Sequence, residues 1–496
     1  MALTIIQYPT YKTLAAGQEI IFAVSDPVIV ALQTGVKYKC EVVLYDTASS
    51  IGPLAATLKT TPNNAGTGMF DLSSIVESYV NSDNLGTDVN LGGTTTSTSE
   101  FKGVSFSSFT RFPIHIIDKC ALGVNSAKFL AVYFYVEYLD TSNNTTIDSG
   151  QVRSQYGLLV YNGVLYNEDE LSTTASGYGF GYDLDKFNFI LNDTSGKFLS
   201  NAPAVQYARA TDYGTVAMFS QLSVSAYSFV TAPAQSSTLN NSVPALEVRM
   251  YDSAGGTLGS VIDIQNLPST GGSGQNGTGL SAAKLIYSGI YPANIRNTNT
   301  TFDGFLTAGT LDHYTVQAID ASTPTAKLIS QEYTINIICD SSFGYEGIRL
   351  AWLNKFGVWD YYTFNQKSVR SLTTNKTTYT QLGGTWNETH YKPSSYKGGK
   401  KNFRVNSIER IKLNTDFLND EESIWIEELL NSPEVYIING YDVNDTPVST
   451  QSTIYKYVEP VLVTTSSFTR KTKANDKLIQ YTIEIERNKK QRSQAG

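Results

Sequence analysis

Histidine, cysteine and charge are what this chain of 496 residues has least of. A Ser/His or Cys/His nucleophile needs an imidazole within reach to take its proton. The three histidines, His115, His313 and His390, sit in no recognisable signature, and His115 reads as a strand residue between Ile114 and Ile116. A triad is therefore not expected. The three cysteines, Cys40, Cys120 and Cys339, are odd in number and widely spaced, so neither a disulfide framework nor a CxxC site follows and each is expected to be a small buried hydrophobe. Zinc lacks its Cys/His spacing. The glycine-rich stretch 268–281 ends in no Lys-Ser or Lys-Thr pair, which excludes a phosphate loop. No run approaches the ~18 apolar residues of a membrane-spanning helix, and MALTIIQYPTYK lacks the basic and apolar regions of a secretion signal. The expectation is a chain made and folded in a reducing cytoplasm, with no membrane partner, cofactor or metal.

What the chain has instead is Tyr (32), Phe (22), Gly (38) and abundant Thr, Ser and Asn, with 17% charged residues. β-branched and aromatic side chains fit a pleated, half-buried surface, so the chain reads as mostly β. Its length exceeds what one core supports. Four segments are expected: an N-terminal β-sandwich (1–125), a second β domain (126–240), a third sandwich (241–340), and a β-rich C-terminal domain (341–496) carrying one helix at 420–431 and a basic tail. The sandwiches are expected to be immunoglobulin-like. Residues 1–340 carry a net charge of −12 and residues 341–496 a net +4. Unlike ends of this kind suit head-to-tail contacts, because complementary potentials steer association.

Along the chain, Glu19 to Leu32 and Tyr38 to Asp46 read as strands, and FDLSSIVESYV as a short helix capped by Asp71, with Ile75, Val76, Tyr79 and Val80 as its apolar stripe. Asn81 to Glu100 has little to bury and reads as a long exposed loop. Aromatics on both faces of FLAVYFYVEYLD place that strand between two layers. Asn162-Gly163 signals a two-residue hairpin turn, FNFIL (Phe187 to Leu191) a strand, and Val216 to Val230 further strands. A recurrent pattern ends a strand on Asp before small polar residues, at Asp46, Asp140, Asp252, Asp320 and Asp442; Asp leaving a strand accepts the next backbone N–H groups and starts a turn. Its repetition suggests one sandwich-like hairpin per segment, although the same chemistry is common in β proteins.

IRLAWLNKFGVWDYYTF, Ile348 to Phe364, reads as a buried hairpin turning at Asn354 and Gly357. The only convincing helix follows at NDEESIWIEELLNSP: Asn419 or Asp420 starts it, Glu422 completes a capping box, Trp425, Ile426, Leu429 and Leu430 face inward, and Pro433 stops it. Between them, HYKPSSYKGGKKNFRV interleaves Lys392, Lys397, Lys400, Lys401 and Arg404 with Tyr391, Tyr396 and Phe403. Such a patch could meet nucleic acid, but in an acidic chain a protein partner or a solvated loop is the stronger expectation. Paired carboxylates remain as the one catalytic option: Asp360 beside Trp359, or Glu427 and Glu428, could in principle serve a glycosidase. Glu427 and Glu428 are adjacent and diverge on a helix, and Asp360 more simply satisfies local amides, so no enzyme is expected. DVND, Asp442 to Asp445, hints at calcium but lacks the EF-hand spacing.

At LAWLNKFGVWDYYTF, at ELLNSPEVYI (Glu428 to Ile437), at YVEPVLVTTSSFTRKTK and, more loosely, at Thr57 to Val80, the chain resembles structural proteins of tailed bacteriophages, especially those of Bacteroidetes hosts and related environmental phages. These stretches, 66 residues, cover about 13% of the chain and are packing motifs. The resemblance implies a virion component of tail, neck or receptor-binding apparatus, built of sandwich modules in a symmetric oligomer with other virion proteins as partners. The interface candidates are Trp352, Trp359, Tyr361, Tyr391, Tyr396, Lys400, Lys401 and Arg404. A second expectation is a carbohydrate-binding or adhesion protein whose exposed aromatics stack on host-surface glycans.

Overall fold

Strand formers dominate the described chain, and they assemble into several multi-stranded sheets packed as sandwich layers, so the mostly β fold expected from composition is the one observed. The computed structural model describes residues 3–9, 13–45, 53–88, 97–98, 105–106, 112–117, 120–123, 125–147, 153–166, 169, 184, 187–220, 243–265, 284–320, 327–338, 345–385, 387–394, 396–439, 458–467, 469 and 479–488.

At the N-terminus, a sheet ordered Thr13–Ala15, Arg153–Tyr161, Ala127–Leu139, Thr34–Tyr45, Leu54–Thr60 faces a smaller one of Thr4–Gln7, Ile21–Ser25 and Thr67–Asp71. Phe22, Phe70 and Phe134 meet between them, with ring centroids 5.6 and 5.8 Å from Phe134. A second sheet runs Val205–Arg209, Tyr333–Ile338, His313–Asp320, Ala245–Tyr251, Thr257–Gln265, and a third joins Phe112–Pro113, Leu85–Asp88, Cys120–Gly123, Lys284–Gly289 and Thr215–Ser220. The C-terminal sheet is ordered Trp359–Phe364, Ile348–Leu353, Val435–Ile438, Val458–Val463, Thr482–Arg487, Gly399–Asn414, Val369–Gln381.

Strands pair across the expected segment boundaries. Thr34–Tyr45 lies beside Ala127–Leu139, and Cys120–Gly123 beside Lys284–Gly289. One apolar core contains Ala15, Phe129, Leu246 and Trp359 alike. A division at 125, 240 and 340 therefore cuts through shared cores, because strand pairing depends on which edges meet in space and leaves no composition signal at the cut.

The hairpin of Ile348 to Phe364 forms as expected, Leu353 opposite Trp359 and Ile348 opposite Phe364. Asn354 builds its turn, accepting at Oδ1 from Phe356 N (3.0 Å) and Val358 N (3.3 Å), and Gly357 takes φ +70°. The helix Asp420–Asn431 carries the expected capping box between Asn419 and Glu422, and its inner side holds Trp425, Ile426 and Leu429, with Leu430 half-buried. Glu428 is also buried, which its neighbours in sequence do not announce.

Several local expectations are corrected. Glu19 to Leu32 is a strand only to Ser25; Asp26 then caps a helix, Pro27–Leu32, by accepting from Val28 and Ile29 N, since Asp-Pro supplies both a cap and a helix-ready first residue. Helices also form at Pro292–Thr298 and Thr300–Thr307, where Asn299 caps a sequence too rich in Asn and Thr to signal a helix. Ser73–Glu77 is helical with Asp71 accepting from Ser73 N, but only Val76 is buried in it and Tyr79 is exposed. Residues 81–88 are not exposed loop: Asp83 is buried and Leu85–Asp88 pairs with two strands. FLAVYFYVEYLD is buried on both faces only over Phe129 to Val132, beyond which burial alternates through Val136. Ile114–Ile116 forms a 3-10 turn with all three residues buried, so His115 is not in a strand. Phe187 to Leu191 is irregular, with Asn188 at φ +64°. Asn162-Gly163 turns no hairpin; the chain runs on to meet the Asn354 turn, Val164 N donating to Lys355 O at 3.0 Å. Val216 to Ser220 is strand, and the expectation beyond Ser220 lies outside the described residues, as do Asp46, Cys339, the stretch 268–281, DVND and the basic tail.

The strand-ending aspartates act as their chemistry requires. Asp140 Oδ1 accepts from Ser142 and Asn144 N, and Asp252 Oδ1 from Ala254 and Gly256 N. Asn63 and Asp193 do the same outside the repeated pattern, so the turn is generic chemistry and carries no repeat of its own.

Candidate interaction arm and buried polar centre

Val369–Gln381 pairs along its whole length with Gly399–Asn414, from Val369 opposite Lys412 to Gln381 opposite Gly399. Among the described residues, only Arg410 to Asn414 of the second strand pair with Thr482–Arg487 on its other side. Residues 372–381 and 399–409 thus form a two-stranded ribbon reaching out from the last edge of the C-terminal sheet, about 30 Å at ~3.4 Å per residue. Threonine at 373, 374, 377, 378 and 380 keeps the strand extended while both faces meet water, which explains why twelve of the thirteen residues Val369–Gln381 are exposed.

The base of this arm is fixed by charge: Arg370 pairs with Glu346 (2.6 Å) and Glu409 (2.9 Å), and Arg487 with Glu409 (3.2 Å) and Glu459 (2.5 Å). Its outer part holds more cations than acids, with Lys392 3.8 Å from Glu388. Among the described residues Lys397, Lys400, Lys401 and Arg404 have no carboxylate partner; Lys401 Nζ donates to Gln381 Oε1 (2.7 Å) and Tyr396 O (3.0 Å), and Arg404 Nε to Asn406 Oδ1 (3.1 Å). Tyr391, Tyr396 and Phe403 are 69%, 75% and 65% exposed. Residues 369–409 contain seven lysines and arginines against two glutamates, a net +5 on a chain of −8.

The expected interface residues therefore divide. Tyr391, Tyr396, Lys400, Lys401 and Arg404 lie together on the arm. Trp352, Trp359 and Tyr361, at 0%, 2% and 3% exposure, are interior and offer nothing to a neighbouring subunit. Trp352 packs on Trp425 with centroids 5.2 Å apart, and Trp359 Nε1 donates to Asp83 O at 2.7 Å. Dense aromatics in a strand signal a core before they signal a contact, because a large ring stabilises most where every side of it is covered.

Around those aromatics lies a buried polar centre that sequence reasoning largely missed. Arg349 donates to Tyr213 O (2.5 Å) and Thr363 Oγ1 (2.8 Å), and its guanidinium lies 4.2 Å from the Tyr291 ring centroid. Burial would raise the Asp212 carboxyl, but Arg349 and Arg209 together hold it below the ordinary carboxylate range. His115 meets Tyr361 Oη at 2.9 Å and the Trp359 ring edge-on at 4.6 Å; burial pushes its imidazole down to about 3, so it is neutral. No local pattern distinguishes Arg349 or Asp212 from surface charges. The signal that exists is an arginine inside an otherwise apolar strand, IRLAWL.

Two of the acids weighed as catalytic do come near each other. Asp360 accepts from Trp425 Nε1 (2.7 Å), and Glu428 from Asn201 Nδ2 (2.7 Å) and Lys355 N (3.2 Å). Burial raises Asp360 to about 6, and burial together with Asp360 raises Glu428 to about 7. The void beside Asp360 is about 10 Å³, too small for a sugar ring. Glu427 is half-buried on the same helix.

Among the described residues no three metal-ligating side chains cluster, and no helix is long and apolar enough to cross a membrane. No protein-family model and no curated protein matches the chain.

Proposed function

We propose that this chain is a structural component of a tailed-bacteriophage virion, in its tail, neck or receptor-binding apparatus, that works without catalysis through interfaces with copies of itself and other virion proteins. The observation that carries the reading is the arm. A two-stranded ribbon is marginal in water by itself, and one tipped with exposed tyrosines, a phenylalanine and unpaired cations has the make-up of the centre of a protein interface, where aromatics and arginine are enriched. The buried hairpin, helix and Arg349 centre supply the rigid platform that such an arm needs. The phage assignment rests on the sequence resemblance. Mass spectrometry of purified particles from infected hosts tests it: the chain is expected at fixed stoichiometry in intact virions, and its consistent absence would end the proposal.

Carbohydrate binding is a second reading, favoured by Tyr391 and Tyr396, whose exposed rings could stack on sugars. Glycan-array binding by the isolated chain, lost in Tyr396→Ala, would favour it over assembly.

A further inference from the structure

The C-terminal sheet has two ends, and they are unlike. At one edge stands the basic, aromatic arm. At the other, Trp359–Phe364 is the edge strand, and it faces Val205–Arg209, itself the edge strand of a different sheet. Between these two edges opens a cleft of about 390 Å³. Its walls are the apolar and aromatic Val205, Tyr207, Tyr362 and Trp425, and its charged lining residues are Asp416 and Glu422, with no lysine, arginine or histidine among the described residues that line it. Asn365, also in the lining, has a buried side-chain Oδ1 that receives no hydrogen bond.

We propose that this cleft receives the arm of a second copy of the chain, which rests on the assembly role proposed above. Charge argues for this occupant. The arm carries ammonium groups without carboxylate partners and the cleft offers two carboxylates, so Lys400 or Lys401 can pair with Asp416. Shape argues likewise, since a cleft of this volume takes one aromatic side chain and the stem of a lysine, the pair that Tyr396 and Lys400 present. Topology decides between folding back and reaching out. Arm and cleft lie at opposite edges of one sheet, six strand spacings or about 29 Å apart. The contact joins two different surfaces, so it is head-to-tail: repeated, it closes into a ring or runs on as a filament.

Charge exchange tests the pairing on the full-length chain, with mass read by light scattering across a concentration series. Lys400→Glu with Lys401→Glu, or Asp416→Lys alone, is expected to weaken self-association at least tenfold. The three changes combined are expected to restore most of it. A Tyr396→Cys and Tyr207→Cys pair is expected to form a disulfide between copies, seen as a ladder on non-reducing gels and missing from either single variant. If the wild-type chain stays monomeric throughout, or if both charge variants associate as the wild type does, the inference is overturned. Association without rescue and without the cross-link also overturns it, while leaving the assembly role standing. The virion reading is decided separately, by particle composition.

Discussion

Trp425 donates its indole N–H to Asp360 Oδ2 at 2.7 Å, so the C-terminal helix is joined to the buried hairpin by one hydrogen bond between side chains sixty-five positions apart. Asp360 sits at 4% exposure, where an acceptor left without its donor costs about 1–3 kcal/mol. Trp425→Phe keeps a ring against Trp352 but removes the donor and part of the indole's bulk. It is expected to lower unfolding free energy by roughly 2–4 kcal/mol, counting the smaller ring as well, measured by chemical denaturation.

The same carboxyl gives a pH signature. A carboxyl raised in the folded state holds its proton more tightly there than in the unfolded chain. Its contribution is therefore complete below the unfolded pKa and is lost as pH rises through the folded value. Because burial raises Asp360 and Asp360 in turn raises its neighbour Glu428, the stability of the wild type relative to Asp360→Asn should fall as pH rises from about 4 through neutrality. His115, held down to about 3, contributes the opposite slope, but it is present in both proteins and leaves the difference untouched. A difference that is flat across this range would contradict the burial-driven shift.

Gly357 tests the close approach of two chain segments. Its φ of +70° disfavours any side chain, and a Cβ there would run into Asn162 O. Gly357→Ala should cost about 2–3 kcal/mol, whereas Gly255→Ala, also at positive φ but with nothing near its Cβ, should cost about 1. Thermal unfolding of the two variants separates conformational strain from collision.

Arg349→Met removes a buried cation and leaves Asp212 with Arg209 alone. Loss of one partner from a buried charge cluster is expected to destabilise by about 3–5 kcal/mol, and the acid limb of the stability profile should shift to higher pH as the Asp212 carboxyl rises toward its ordinary range.

Removing the arm should do the reverse. Replacing residues 374–407 by Asn-Gly joins Thr373 to Ile408, which already lie opposite each other, through a turn suited to a hairpin. Because 21 of the 32 described residues in 374–407 are exposed and Gly384 alone of them is buried, Tm should change by no more than a few degrees, while any association through the arm is abolished. A large fall in Tm would show the ribbon to be part of the fold.

The parts of this protein that could be read from its residues are those in which a local group satisfies a local need. The Asn419 and Glu422 capping box, the Asn354 and Gly357 turn, and the aspartates that follow strands are hydrogen-bonding arrangements closed within five residues, so their spacing is visible in the chain. The mostly β character follows in the same way from composition. Tyr391, Tyr396, Lys400, Lys401 and Arg404 share one arm because they are close in sequence. What the tertiary structure alone decided is everything that depends on a distant partner: that Trp352, Trp359 and Tyr361 are interior, that Glu428 and Asp360 face one another, that Arg349 is covered by Tyr291 and balanced by Asp212, and that strands pair across the expected segment boundaries. The physical reason is that burial is a property of both contacting surfaces. A tryptophan or a carboxylate has the same intrinsic preferences wherever it stands, and only the packing of remote strands against it fixes whether it meets water, a partner or the core.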